Sequence, residues 1–200
     1  MLDGQGLAVS VGNDTAVSTY NKAVTEWLDY KISSMRTLKQ AIELEPDFCI
    51  AHCFRGYLFV TFNSAAVLPA AVASLTKAQA LAGTASEREQ RHVAALRHLL
   101  EGAPHRACAC WDEITADYPH DILALRMHHY TCFWSGYRQQ LSALPAAVLP
   151  AWDDTVPHYG NLLGMVAFGL VEPKAVGDNR SKNRYSDAYE APKYHADNQR

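Results

Sequence analysis

The stretch SEREQRHVAALRHLL, Ser86 to Leu100, decides the fold. Ser86 and Glu89 stand in the S-x-x-E spacing of a capping box, which satisfies two of the free N–H groups at a helix start. Behind them Val93, Leu96 and Leu100 recur at the spacing of one helical face. Gly102 ends that helix and Pro104, tolerated in a first turn, opens another whose Ala107, Trp111 and Ile114 share a face until Pro119. Two amphipathic helices with so short a link form an antiparallel hairpin, because neither can bury its apolar stripe alone.

The same reading extends in both directions. Upstream, Asp14 is the expected N-cap of a helix carrying Val17, Tyr20, Val24, Trp27 and Leu28. Ile32, Met35, Leu38 and Ile42 form the stripe of its partner, which stops at Pro46. Asp47 is the expected cap of a third helix, with Ile50, Ala51, Phe54 and Leu58, and Pro69 opens a fourth that ends near Gly83. Downstream, Asp121 starts a helix with Leu125, Tyr130 and Phe133 or Trp134. The helix after Gly136 contains Pro145 and is expected to kink or break there. A last helix runs from Pro157 to about Val171. Four hairpins and one extra helix result, with no Asn-Gly or Asp-Gly strand turn between alternating stretches.

Two hairpins share a finer pattern. Ser34, Leu38, Ala41 and Pro46 have the same relative spacing as Ala107, Trp111, Ile114 and Pro119. Small residues allow close approach, large ones fill the gap, and proline closes the unit. This resembles the second half of a tetratricopeptide repeat, whose period is about 34 residues. The expected fold is all-α, an open solenoid of stacked antiparallel helical hairpins.

A longer resemblance is carried by five segments in one colinear order. They are Asp3-x-x-Gly6-Leu7, Arg88-Glu89-Gln90-x-His92-Val93, Ala107-x-x-x-Trp111, Tyr118-Pro119-x-Asp121-x-Leu123-Ala124-Leu125, and Phe168-Gly169-Leu170-x-Glu172. Together they resemble the amino-terminal part of the tetratricopeptide repeat protein 38 family. The resemblance implies a helical-repeat array and brings no reaction with it. It stops after residue 172, so residues 1–172 are read as the helical-repeat domain. Residues 173–200 contain no Leu, Ile, Phe, Met, Trp or Cys and are read as a disordered polar tail.

Composition narrows the function classes. Of 200 residues, 48% are hydrophobic and 20% charged, an ordinary globular balance. The net charge of −3 lacks the basic excess of a phosphate-neutralising nucleic-acid binder. No apolar run is read as approaching the roughly 20 residues of a membrane span, and the first residues lack a secretion signal. Five cysteines without a CxxC pair point to free thiols and a cytoplasmic setting.

The candidate site is a histidine column. His52, His92 and His129 fall one per hairpin on successive first helices, which line the concave groove of such a solenoid. If a metal binds, His92 with His129 is the expected pair and His52 the third member; the competing reading is three packed or hydrogen-bonded structural histidines. No helix is read as carrying a clean metal pair at i, i+4 of the H-E-x-x-H kind. Cys49 with Cys53, Cys108 with Cys110, and the four tryptophans read as core residues. Arg88, Arg91 and Arg97, with Glu87 and Glu89, read as a solvated helix face. No nucleophile elbow, phosphate loop or dinucleotide fingerprint is present.

The leading expectation is a non-catalytic scaffold that needs no cofactor and holds a protein or peptide in its groove. The alternative is an enzyme or divalent-metal-dependent domain using the three histidines, complete only in a longer chain. The apolar last helix is also expected to drive self-association.

Overall fold

The computed structural model describes residues 1–171, and every described regular element is helical. Nine α-helices follow one another: α1 (Asp14–Leu28), α2 (Ser34–Leu44), α3 (Cys49–Thr61), α4 (Leu68–Leu81), α5 (Glu87–Leu100), α6 (Pro104–Asp117), α7 (Ile122–Ser135), α8 (Arg138–Val148) and α9 (Tyr159–Val171). The expectation for residues 173–200 lies outside the described residues.

Sequence neighbours pair most extensively, α1 with α2, α3 with α4 and α5 with α6, whereas α7 packs on α6 at least as extensively as on α8, and α8 packs on both α7 and α9. Successive units meet through α2 and α3, α3 and α5, and α6 and α7. One continuous core results, built around Tyr57, Phe48, Phe54, Leu38, Leu96, Trp111 and Leu125. The contact of α3 with α5 is close. A Cβ on Gly56 would lie 2.4 Å from Leu96 Cδ2, so only glycine admits this approach without a shift in Leu96.

Local chemistry explains the helix starts. Ser86 and Glu89 make the full reciprocal capping box at α5. The Asp121 carboxylate accepts from the Ala124 amide at 2.9 Å and caps α7. Two expected caps are displaced by one residue. Asn13 rather than Asp14 caps α1, its amide oxygen accepting from Ala16 N at 3.1 Å, and Asp14 becomes the first helical residue. Phe48 precedes α3 with no side-chain cap, because the Asp47 carboxylate is drawn to Lys77 Nζ at 2.7 Å. Ile32, read as part of the α2 stripe, lies before that helix and is fully exposed. The last helix begins at Tyr159, after His158 in a left-handed conformation at φ 68°, rather than at Pro157.

Pro145 does not break α8. A proline leaves the carbonyl four residues earlier without its helical donor, here that of Leu141. Gly169 of α9 comes close at this point: a Cβ there would meet Leu141 O at 2.9 Å and Ser142 Cα at 2.8 Å. The bare glycine backbone therefore seats α9 on the altered turn.

One expectation about apolar runs is corrected. The helical stretch Ala65–Thr84, which contains α4, has 20 residues, and an 18-residue window of it has a mean hydropathy of 1.3, long and apolar enough to cross a bilayer by length and composition. Its small residues Ala71, Ser74 and Ala78 are buried, and α3 is its main packing partner. Small side chains alternate with larger ones here, which hid the run from a search for bulky apolar residues.

Candidate functional site

Four of the five colinear segments singled out in the sequence meet in one buried polar network. Arg88 on α5 donates from one guanidinium nitrogen to Asp121 Oδ2 at 2.9 Å and from the other to Asp3 Oδ2 at 3.0 Å. The second nitrogen also reaches Ala8 O at 3.2 Å. Asp3 Oδ1 accepts from the amides of Gln5 and Leu7, which folds the amino-terminal loop around the carboxylate. His92 Nε2 lies 3.0 Å from Asp121 Oδ2, and Nδ1 lies 3.1 Å from the Tyr57 hydroxyl. That hydroxyl donates to the His92 carbonyl at 2.9 Å and accepts from Trp111 Nε1 at 3.3 Å.

The network ties the amino-terminal loop and α3, α5, α6 and α7 together. Arg88 and Glu89, expected on a solvated face, are buried instead. Sequence spacing hid this because Arg88 and Asp3 lie 85 residues apart. Burial alone would raise the Asp121 carboxyl, but attraction to His92 and Arg88 and the hydrogen bonds they make hold it far below the usual range. Burial keeps Asp3 above its ordinary value despite Arg88. Although aspartate, histidine and tyrosine stand in line, all are closed to solvent. No substrate can reach them without opening the core.

The three candidate histidines occupy separate settings. His52 Nε2 donates to Pro46 O at 2.8 Å and closes the turn before α3; burial lowers its pKa. His92 has both ring nitrogens engaged by Asp121 and Tyr57, which leaves no lone pair free for a metal. His129 bonds to the backbone at Met165, while its Nε2 is buried without a hydrogen-bond partner. Burial and the neighbouring charge of Arg126 push it down to about 4. Among the described residues, these three do not form a cluster of ligand atoms.

His129 instead borders a cavity of about 510 Å³. Its walls come from α7, α9 and the end of α1, with Tyr30, Tyr130, Phe133, Trp134 and Phe168 giving it an aromatic character. Tyr30 comes from the turn after α1. His129 meets Phe168 edge-on at 5.4 Å, and Phe168 meets Phe133 at the same distance. At the rim, Arg126 lies 5.3 Å from the Tyr30 ring centre and donates to its hydroxyl. Trp134, read as core, is about half exposed at this cavity.

A second polar cluster lies between α6 and α7. Cys108, His128 and Cys132 are buried with their ligand-type atoms within 4.8 Å of one another. Asp112 Oδ1 stands 3.2 Å from His128 Nε2. The legible signal was a pair at i, i+4 on each helix, Cys108 with Asp112 and His128 with Cys132. Neither pair has the H-E-x-x-H form, and what joins them is the tertiary contact of α6 with α7.

No family model matches the chain, and no solved structure matches it.

Proposed function

We propose that the chain is a tetratricopeptide-repeat-like scaffold, non-catalytic, which holds a protein or peptide segment in the groove formed by its first helices. The observation that carries this reading is the aromatic cavity, lined by α7, α9 and the end of α1 with the turn after it. The hairpin pairing of α1 with α2, α3 with α4 and α5 with α6, and the five colinear segments resembling the tetratricopeptide repeat protein 38 family, support a repeat architecture. The contacts of Thr25 with His158 and of Tyr30 with Arg126 bring its first and last helices together. Such arrays use an extended inner surface for binding.

The cavity chemistry favours an aromatic or branched apolar anchor on the partner. Arg126 has no carboxylate partner among the described residues and suits a backbone carbonyl or acidic group beside that anchor. Five free thiols support a reducing, cytoplasmic setting. Leu163, Phe168, Leu170 and Val171 are exposed on α9 and supply the apolar surface for self-association. An enzymatic or metal-dependent reading built on His52, His92 and His129 draws no support from their hydrogen bonds.

Panning a random peptide library against the full chain tests the scaffold reading. Peptides with an apolar anchor near an acidic residue should be enriched and should quench Trp134 fluorescence. Phe133→Ala and Arg126→Ala should weaken the selected peptides at least tenfold. Enrichment that both variants retain unchanged removes the cavity from the proposal.

A further inference from the structure

The cluster between α6 and α7 has the geometry of a coordination site. Residues at i and i+4 lie on one helix face. Cys108 and Asp112 therefore face α7 together, and His128 and Cys132 face α6 together. The two sulfurs are 3.8 Å apart. Cys132 Sγ lies 3.7 Å from His128 Nε2, and that nitrogen lies 3.2 Å from Asp112 Oδ1.

The S–S, S–N and N–O separations match three edges of a tetrahedron around zinc. The Asp112 oxygen lies outside the group of three donors within 4.8 Å of one another, so its exposed side chain must turn inward to complete the site. With bonds of about 2.3 Å to sulfur and about 2.0–2.1 Å to nitrogen or oxygen, the edges are roughly 3.8 Å for S–S, 3.6 Å for S–N and 3.3 Å for N–O. A thiol pair in a packed core has no need of a histidine and a carboxylate on its free edge.

We propose that Cys108, Asp112, His128 and Cys132 bind one thiophilic divalent cation of the zinc type in tetrahedral coordination. The three buried donors supply two sulfurs and one imidazole nitrogen. Asp112, whose side chain is 52% exposed, closes the fourth position and marks the path of entry. Both thiols lose their protons to solvent as the two sulfur–metal bonds form, while the imidazole is neutral and no redox change occurs. Because binding releases these protons, affinity rises with pH. The joint between the third and fourth hairpins, α6 on α7, is the place where bound metal stiffens the array.

Titration of the reduced full chain with cobalt(II), then zinc(II), tests the site. Cobalt should give sulfur-to-metal charge transfer and the intense visible bands of a tetrahedral ion, at one ion per chain, and zinc should displace it with release of about two protons. Cys132→Ser and His128→Asn should abolish the bands. Asp112→Asn, a change at the exposed edge that spares the core, should weaken binding by about tenfold or more. Cys110→Ser and Cys49→Ser should leave the spectrum intact. Absence of charge transfer in the reduced wild-type chain overturns the proposal. So does a spectrum that survives Cys132→Ser, or one lost with Cys110→Ser or Cys49→Ser.

Discussion

Two aspartate–histidine pairs tie α7 to the hairpin of α5 and α6. Asp121 reaches His92 at 3.0 Å and Asp112 reaches His128 at 3.2 Å. The side chains are the same and the distances nearly so, yet their surroundings differ. The first pair is closed to solvent, and its carboxylate also accepts from Arg88 and the Ala124 amide. The second has one half-exposed carboxylate and two thiols for neighbours. A closed network acts as a staple, because the carboxylates and both terminal guanidinium nitrogens are already engaged, even though Arg88 Nε has no partner. A cluster of soft donors with an open edge retains capacity for a ligand. Engagement and access, more than residue type, separate a structural pair from a candidate site.

The strongest way to break the comparison is to remove the cation from the staple. Arg88→Met leaves the Asp3 and Asp121 carboxylates facing each other in the core. Breaking a buried ion pair from one side costs about 3–5 kcal/mol. Urea unfolding of the metal-free chain should show that loss. A loss below about 1 kcal/mol would mean that water or rearrangement satisfies both carboxylates and that the network is no staple.

Acid should act elsewhere first. His129 is held neutral in the folded chain, down to about 4, against about 6.5 when unfolded. A depressed histidine contributes stability that is complete above pH 6.5 and is lost as pH falls toward 4. Allowing for solvent at the cavity wall, the loss is about 2 kcal/mol. His129→Leu should flatten this limb of the stability profile. The Asp121 contribution is present above about pH 4, the unfolded value, and fades only at stronger acidity as the depressed carboxyl takes its proton. An acid limb unchanged in His129→Leu assigns it to another group.

Alkali separates the two clusters from the other side. The Cys132 thiol is raised in the folded chain by Cys108 and by burial. The folded state keeps its proton after the unfolded state has lost it, so stability declines as pH rises above about 9. Each such thiol contributes about 1.4 kcal/mol per pH unit there. Cys53, also raised by burial, shares the effect. Cys132→Ala should therefore remove part of the alkaline slope and Cys132→Ala with Cys53→Ala a larger part, with Cys110 and the buried Tyr20 and Tyr57 carrying the rest. An unchanged slope in the double variant contradicts the thiol assignment.

The contrast between these regions also explains what was legible in the sequence. Caps, prolines and apolar stripes act within about one turn, so the order of helices and the hairpins at Ser86 and Asp121 could be read locally. The one-residue errors at Asp14 and Asp47 came from competition for a side chain: Asn13 was the better-placed acceptor, and Lys77 took Asp47 from 30 residues away. The staple depends on Asp3, Arg88 and Asp121, which no periodicity connects. The histidine column failed as a ligand set because register along a stack does not determine hydrogen-bond partners. His92 was read on the correct helix but found Tyr57 and Asp121. The Cys108–Cys132 contact was half legible, since each helix displayed its i, i+4 pair, but the facing of α6 and α7 is a tertiary fact.

The smallest expected effect is the most discriminating. Asp112→Asn keeps an oxygen that can accept from His128 and changes only the charge of a half-exposed group. Exposed ion pairs contribute about 0–1 kcal/mol. Metal-free stability should therefore shift by no more than about 0.5 kcal/mol. Asp121→Asn is chemically the same substitution and keeps the cap on α7, yet it leaves Arg88 with less counter-charge inside the core. Its cost should approach about 3 kcal/mol. The two variants, measured side by side by urea unfolding without metal, compare the same change in two environments. Equal losses would mean that Asp112 is drawn into the core with His128, and the open edge assigned to the α6–α7 cluster would be lost with that result.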